Sequence, residues 1–477
     1  MENNRVLDEK IGKIIPVLIN VIAGVSLFYY LIRLDQQYIA DDIFNLLILF
    51  IFAVKFIMDF MIFKIGYATF SLMLLFLPII SLLGFAPHGE VQPLFNDRTQ
   101  LIEKHFYILA FSATFFYYVW SLLLQVSKKS FKHYDLEVMG FFSKQKKSLL
   151  ATWFFSVVAI ASSIIYLPDL PGKAYYELSD SLLPGNAWNS VVAISYFFVL
   201  LGSKKSALRN LALVFVPFWL LSHYARVDIL GLILIMYLLI TNTEKGKLVI
   251  RNKNFRKIGM LVTGVLIFSY LGLIRDTGLV FDGAAILDSF FNLINYPTVQ
   301  DLIYSTAAAI EVNQTYGNFY TLQTYIPQLV PFFSGLETAG ASHIVASYIH
   351  TNYGLLVYGE YYMNFQLAGI LMAPFLTFVI VFVPPYLLQK VFGGIGFAMA
   401  YYMILTTAPR VLWYGFIYYI KPLVIIVPVF IVIYFILVNF EKDMADYDRR
   451  RKTASAFSLG NHNTLKTGRS LWQIKRR

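Results

Sequence analysis

Residues 42–63 read DIFNLLILFIFAVKFIMDFMIF. A hydrocarbon layer is crossed by about 20 predominantly apolar residues in a helix, and this stretch has that length and that chemistry. Its two interior charges, Lys55 and Asp59, stand four residues apart, so they meet on one helical face. An ionisable residue at membrane depth is a functional suspect, but two opposite charges one turn apart also read as a structural pair.

Stretches of the same kind recur at 12–33, 65–86, 105–127, 148–167, 187–202, 208–223, 227–243, 258–274, 363–385, 392–408 and 418–440. With 42–63 they predict an all-α polytopic membrane protein of about twelve transmembrane helices. The region 208–243 also reads as one long broken helix. The composition agrees: 58% of residues are hydrophobic, 14% are charged, and mean hydropathy is +0.62, where a soluble chain carries roughly 25% charge. Seventeen per cent of residues are aromatic, and tyrosine in particular suits interfaces and cavities. The first apolar stretch is too long for a secretory leader and reads as the first membrane helix. Cysteine is absent, which excludes disulfides, thiolate metal sites and thiol catalysis.

Orientation follows from lysine and arginine in the connecting segments. With the N-terminus inside, 30 of the 39 basic residues fall on the inner side and eight on the outer side, with Lys55 inside a helix. Both ends are then cytoplasmic. The net charge of +11 lies between apolar spans, so it belongs to topology and not to nucleic-acid binding. The expected organisation is helices one to nine over 1–275, a large external loop over 276–362, helices ten to twelve over 363–440, and a basic, irregular cytoplasmic tail over 441–477. From Asp276 to Gln389 there is no lysine or arginine. The loop nevertheless holds helix-like segments at 284–295 and 299–310, and a structured loop of this size is usually functional. The tail suits contact with anionic lipid.

Against this sparse outer face, Arg226, Arg275 and Arg410 stand at the outer ends of separate helices, and Lys421 opens the last one. Singly, each snorkels to the headgroups. Together they suit a multiply charged anion, because a guanidinium grips phosphate bidentately. His223, near Arg226, is a further phosphate candidate. Glu360, at the entrance of a helix, is a candidate general base or a residue that favours the helix dipole. Glu311 reads as a solvated loop acid. His343 and His350 lie seven apart and share a face if helical, but no third ligand makes a metal site. His350 is a second candidate base. Phosphate-cradling and HExxH motifs are absent, as is an acidic pair for a nucleotide-sugar metal, so no cofactor and no metal are expected.

Three segments carry a resemblance: Ala225-Arg-Val-Asp-Ile-Leu-Gly231, Gly272-Leu-Ile-Arg275, and Gly359-Glu-Tyr-Tyr-Met-Asn-Phe-Gln-Leu-Ala-Gly369. Together they resemble the Wzy-type O-antigen and oligosaccharide repeat-unit polymerases. The third segment is similar to the family's Gly-Glu-x-Tyr-x-Asn-Phe-Gly-x-x-Gly stretch, with Gln366 in place of a glycine. The resemblance covers roughly 205–420. It implies a fold like the C-type glycosyltransferases, with a large external loop over a lipid-open cavity. It implies undecaprenyl-pyrophosphate-linked oligosaccharides as substrates, joined on the periplasmic face of a bacterial inner membrane. Metal-independent transfer would place the arginines on the leaving pyrophosphate and Asn364 at the substrate. Membrane lipids and a chain-length regulator are the implied partners. An O-antigen ligase using His350 and a lipid-linked saccharide flippase are the alternatives.

Overall fold

The computed structural model describes residues 2–36, 42–63, 67–85, 98–128, 141, 148–165, 186–202, 206–222, 270, 282–285, 297–321, 340–351 and 354–474. Among them the protein is all-helical, with no strand. The helices are α1 (Glu2–Leu31), α2 (Asp42–Phe63), α3 (Tyr67–Ile80), α4 (Arg98–Lys104), α5 (Phe106–Val126), α6 (Leu149–Ile165), α7 (Asn186–Leu201) and α8 (Ala207–Ser222). Then come α9 (Pro297–Tyr316), α10 (Ala341–Tyr348), α11 (Val357–Phe382), α12 (Pro384–Phe392), α13 (Gly394–Thr406), α14 (Ala408–Tyr414), α15 (Ile417–Lys421) and α16 (Val427–Ile474).

Six described segments are long and apolar enough to cross a membrane: Ile14–Leu31, Ile43–Phe63, Tyr67–Gly84, Phe106–Val126, Val357–Phe392 and Tyr419–Arg451. Shorter apolar helices occupy Leu149–Ile165, Trp188–Leu201, Ala207–Leu220 and Gly394–Thr406. These ten lie at ten of the twelve expected stretches. Of the remaining two, 227–243 falls outside the described residues and 258–274 is described only at residue 270. The outer helices present Val17, Leu18, Val21, Val25, Ile43, Phe50 and Met61 to the surroundings. A surface of that kind is stable in hydrocarbon, where helices satisfy their own backbone, so the protein is a helical membrane protein.

Helices α3, α5 and α13 form the interior, and α13 is buried from Ile395 through Thr406. On one side α1, α2, α3, α5 and α11 pack together, and Trp120 of α5 donates to Ser71 Oγ at 3.0 Å and meets Phe378 edge-on at 5.7 Å. On the other, α6, α7 and α8 pack with α16 through the Phe155–Phe198 stack at 4.1 Å and the Phe198–Tyr434 contact at 5.1 Å.

Prolines interrupt several of these helices, and the carbonyls they free are taken up by aromatic donors. Proline lacks the N–H that would bond the carbonyl four residues earlier, and hydrocarbon offers no water as a substitute. Pro78 frees Leu74 O, which accepts from Trp413 Nε1 at 3.1 Å. Pro217 frees Leu213 O, which accepts from the Tyr196 hydroxyl at 3.3 Å. Pro385 frees Val381 O, which accepts from the Tyr419 hydroxyl at 2.8 Å. Each bond joins the interrupted helix to another helix, so each proline becomes a fastening point.

Two features depart from the sequence expectations. A helical segment over 357–365, not expected from hydropathy, precedes a break at Gln366, and the apolar part of α11 follows that break, close to the expected boundary at 363. The C-terminal segment, expected to be irregular, continues as part of the single helix α16 through Ile474. That helix is pinned at Glu441, whose carboxylate accepts from the Ser148 hydroxyl and from the backbone N–H groups of Leu149 and Leu150 at 3.0 and 3.3 Å. Glu441 thereby caps the N-terminus of α6, where N–H groups lack intrahelical partners.

Candidate active site

Glu360 lies in the first turn of α11, is 1% exposed and is flanked by the buried residues Gly359 and Tyr361. The helix N-cap is Leu356, which makes no side-chain capping bond. Glu360 is therefore not the cap, although its charge still favours the dipole.

Two elements hold this turn. On one side is α9: Leu356 N donates to Thr306 Oγ1 at 3.3 Å, and a side chain on Gly359 would meet Thr306 Cγ2 at 2.8 Å. On the other is α14, the helix that carries Arg410: Leu355 N donates to Trp413 O at 2.9 Å. The Tyr361 ring meets Phe416 edge-on at 5.5 Å. Glu360 and Arg410, distant in sequence, thus stand on two elements fastened together. Arg410 is half-buried.

One turn beyond Glu360 the helix breaks. Gln366 has φ 54° and ψ −137°, a left-handed conformation that side chains disfavour. The break frees carbonyls in the turn before it. Met363 O accepts from Asn313 Nδ2 at 2.8 Å and from Phe319 N at 3.3 Å. Asn364 is fully buried, and its amide donates to Glu360 O and to Thr321 Oγ1, both at 2.6 Å. Past the break the chain folds back so closely that a Cβ on Gly369 would lie 2.0 Å from Tyr361 O. The same device recurs: Gly393 has φ 66° and ψ −150°, and a Cβ on Gly396 would lie 2.3 Å from Leu388 O. In both, the small residue three positions after the pivot meets the carbonyl five positions before it.

A second polar cluster ties α9 to the start of α5. Glu311 accepts from Lys104 Nζ at 2.6 Å and pairs with His105 Nε2 at 2.7 Å. Glu311 was expected to be solvated; it is 24% exposed and held by two partners. Burial pushes the Glu311 carboxyl up, but the bonds from Lys104 and His105 outweigh it and leave the carboxyl below its ordinary range. Burial pushes His105 down, against the pull of Glu311. Hydropathy gave no signal for His105, because only the fold brings it to α9.

The remaining candidates scatter. His350 is exposed on irregular chain just after α10. Helix α10 ends at Tyr348, so His343 and His350 do not share a helical face. Lys421 is half-buried at the end of α15. Arg226, Arg275 and His223 lie outside the described residues, so of the three arginines expected to converge only Arg410 has a described position.

Lys55 and Asp59 are each 1% exposed and 3.3 Å apart. Lys55 also donates to Asn20 Oδ1 and Ser121 Oγ, both at 2.7 Å. Asp59 accepts from Ser121, Gln125 and Tyr117 at 2.7, 2.8 and 3.2 Å. All three ammonium donors and both carboxylate oxygens are engaged, so the pair is a structural node joining α1, α2 and α5.

No family model, no curated protein and no solved structure matches this chain.

Proposed function

We propose that this chain is a polymerase of lipid-linked oligosaccharide repeat units, acting on the periplasmic face of a bacterial inner membrane. The growing glycan leaves its undecaprenyl pyrophosphate and is transferred to the non-reducing end of a new lipid-linked unit. Glu360 takes the proton from the acceptor hydroxyl as that oxygen bonds the anomeric carbon, and the pyrophosphate departs as the anion. Arg410, with Arg226, Arg275 and Lys421, neutralises the leaving group. Asn364 and His223 complete the substrate contacts.

The observation that carries this reading is the buried Glu360 on a turn fastened to the helix of Arg410, beside a left-handed pivot. That pivot, Gln366, stands at the position where the resembled motif has its second glycine, and Gly369 supplies the motif's last glycine where only a hydrogen fits. The motif thus corresponds to a backbone requirement as well as to chemistry. A flippase would need charges along a mid-membrane cavity, whereas Lys55 and Asp59 are fully occupied by each other and their neighbours.

The test is polymerisation of purified lipid-linked units by Glu360→Gln and His350→Asn. Loss of a general base costs about a hundredfold or more, so Glu360→Gln is expected to lose activity and His350→Asn to retain it. Near wild-type rate in Glu360→Gln removes the base assignment. Loss in His350→Asn alone moves the chemistry to the histidine, as in a ligase.

A further inference from the structure

Five aromatic rings gather where α9, α10 and the pivot of α11 meet. Tyr316 and Tyr348 have ring centroids 4.4 Å apart, and Phe319 lies 5.8 Å from Tyr348. Tyr320 meets Phe365 at 6.0 Å. Tyr316 is 60% exposed, and Tyr320 and Tyr348 are each 47% exposed. Four of the five stand on α9, α10 and the turn after α9, outside the apolar spans.

The backbone is strained at this place. Among the described residues, the non-glycine residues with positive φ are Tyr320 (50°) and Gln366 (54°), and both border the cluster. Strain of this kind persists where the surrounding structure imposes it and gathers at ligand sites. Tyr320 is imposed by the bonds on either side of it, from Phe319 N to Met363 O and from Asn364 to Thr321.

Behind the rings are two amides with unused acceptors. Asn313 Nδ2 donates to Gly317 O and Met363 O, and Asn364 Nδ2 donates to Glu360 O. Backbone carbonyls only accept, so they fix which end of each amide faces them. Asn313 Oδ1 and Asn364 Oδ1 are left buried with no donor, which is uncommon for polar atoms.

We propose that this shelf binds the carbohydrate part of the substrate. Sugar rings offer flat C–H faces to aromatic rings, and Tyr316, Tyr320 and Tyr348 present exposed rings to receive them. Resting on the polymerase reading, it holds the growing chain between additions, away from the bond being made. It thereby sets how many units are added before release.

Two measurements test this. The first is saturation-transfer NMR on the protein in lipid nanodiscs, with the oligosaccharide that mild acid releases from the cell's lipid-linked units. Transfer to sugar protons is expected for the wild type and for Tyr316→Phe and Tyr348→Phe. It is expected to fall roughly tenfold in Tyr316→Ala and Tyr348→Leu, the effect of losing one ring stack. Absence of transfer in the wild type, or an unchanged signal in Tyr348→Leu, overturns the shelf. The second is the length of surface polysaccharide in cells carrying the same variants at equal protein abundance. Shorter chains in the ring-deleted variants support the chain-holding role; wild-type lengths overturn it. If sugar binding holds while deletion of the protein leaves the polysaccharide intact, the polymerase reading fails and the shelf stands.

Discussion

Trp413 donates its indole N–H to the carbonyl of Leu74 at 3.1 Å, and that carbonyl is the one Pro78 leaves without a helical partner. The tryptophan belongs to α14, the helix of Arg410, and its own carbonyl accepts from Leu355 just before Glu360. One residue thus mends a break in α3 and helps to place two elements of the proposed active site. Removing the donor leaves a buried carbonyl unsatisfied, at a cost of about 1–3 kcal/mol. Trp413→Phe is expected to lower thermal stability in detergent accordingly. Pro78→Ala restores an N–H to the helix, so the double variant is expected to regain most of the loss. A double variant no better than Trp413→Phe would show that the bond does not serve the proline break.

Lys55 and Asp59 make a second paired prediction. Breaking a buried ion pair from one side costs about 3–5 kcal/mol, whereas replacing both partners by apolar residues of similar size is often neutral. Lys55→Met alone is expected to unfold the α1–α2–α5 side at lower temperature, and Lys55→Met with Asp59→Leu to recover. On the proposed reading, polymerisation in the double variant is expected to survive, because both charges are engaged by structural partners. Loss of activity with stability intact would make the pair functional.

At the pivot of α11 the two substitutions have opposite signs. Gln366→Gly relieves a left-handed side-chain conformation and is expected to stabilise by about 1–2 kcal/mol. Gly369→Ala drives a methyl into the Tyr361 carbonyl and is expected to cost about 3 kcal/mol or more. Melting temperatures of the two variants, read side by side, check the geometry; a tolerated Gly369→Ala contradicts it.

The Glu311 cluster makes the α5–α9 junction sensitive to acid. Both folded-state values lie below the ordinary ones, for Glu311 through its partners and for His105 through burial. Groups shifted downward bind fewer protons when folded, so stability rises with pH through their range. The junction is expected to hold above about pH 6.5, the ordinary histidine value, to weaken as His105 protonates below it, and to lose the Glu311 contribution as pH falls further. Hydrogen exchange of the α9 amides at pH 7.5 and 5 reads this directly. Faster opening at the higher pH would contradict the sign.

Hydropathy located the ten apolar helices among the described residues, because a span of about 20 apolar residues has few other uses. It also paired Lys55 with Asp59, since helical spacing alone brings them together. It placed the apolar part of α11 from 363, close to the break at Gln366, and left the helical segment before it unread because the polar and aromatic stretch Tyr358–Met363 dilutes the apolar signal. The burial of Glu360 was legible from its place at a helix entrance, and the resembled motif marks position 366 with a glycine, but the contacts with α9 and α14 that hold this turn were not, because only the fold brings those helices together. For the same reason the sequence showed neither the link of Glu311 to His105 nor the grouping of Tyr316, Tyr320 and Tyr348. The tail beyond Asp448 looked irregular from its serine, threonine and glycine, yet the α16 backbone remains helical through Ile474.

Whether this protein polymerises repeat units is read from a gel of surface polysaccharide. Cells lacking this protein and cells complemented with it are compared by ladder length on the lipid core. A core bearing one repeat unit is expected in the deletion, and a full ladder on complementation. An intact ladder in the deletion, or a core bearing no repeat unit at all, would contradict the proposed polymerisation.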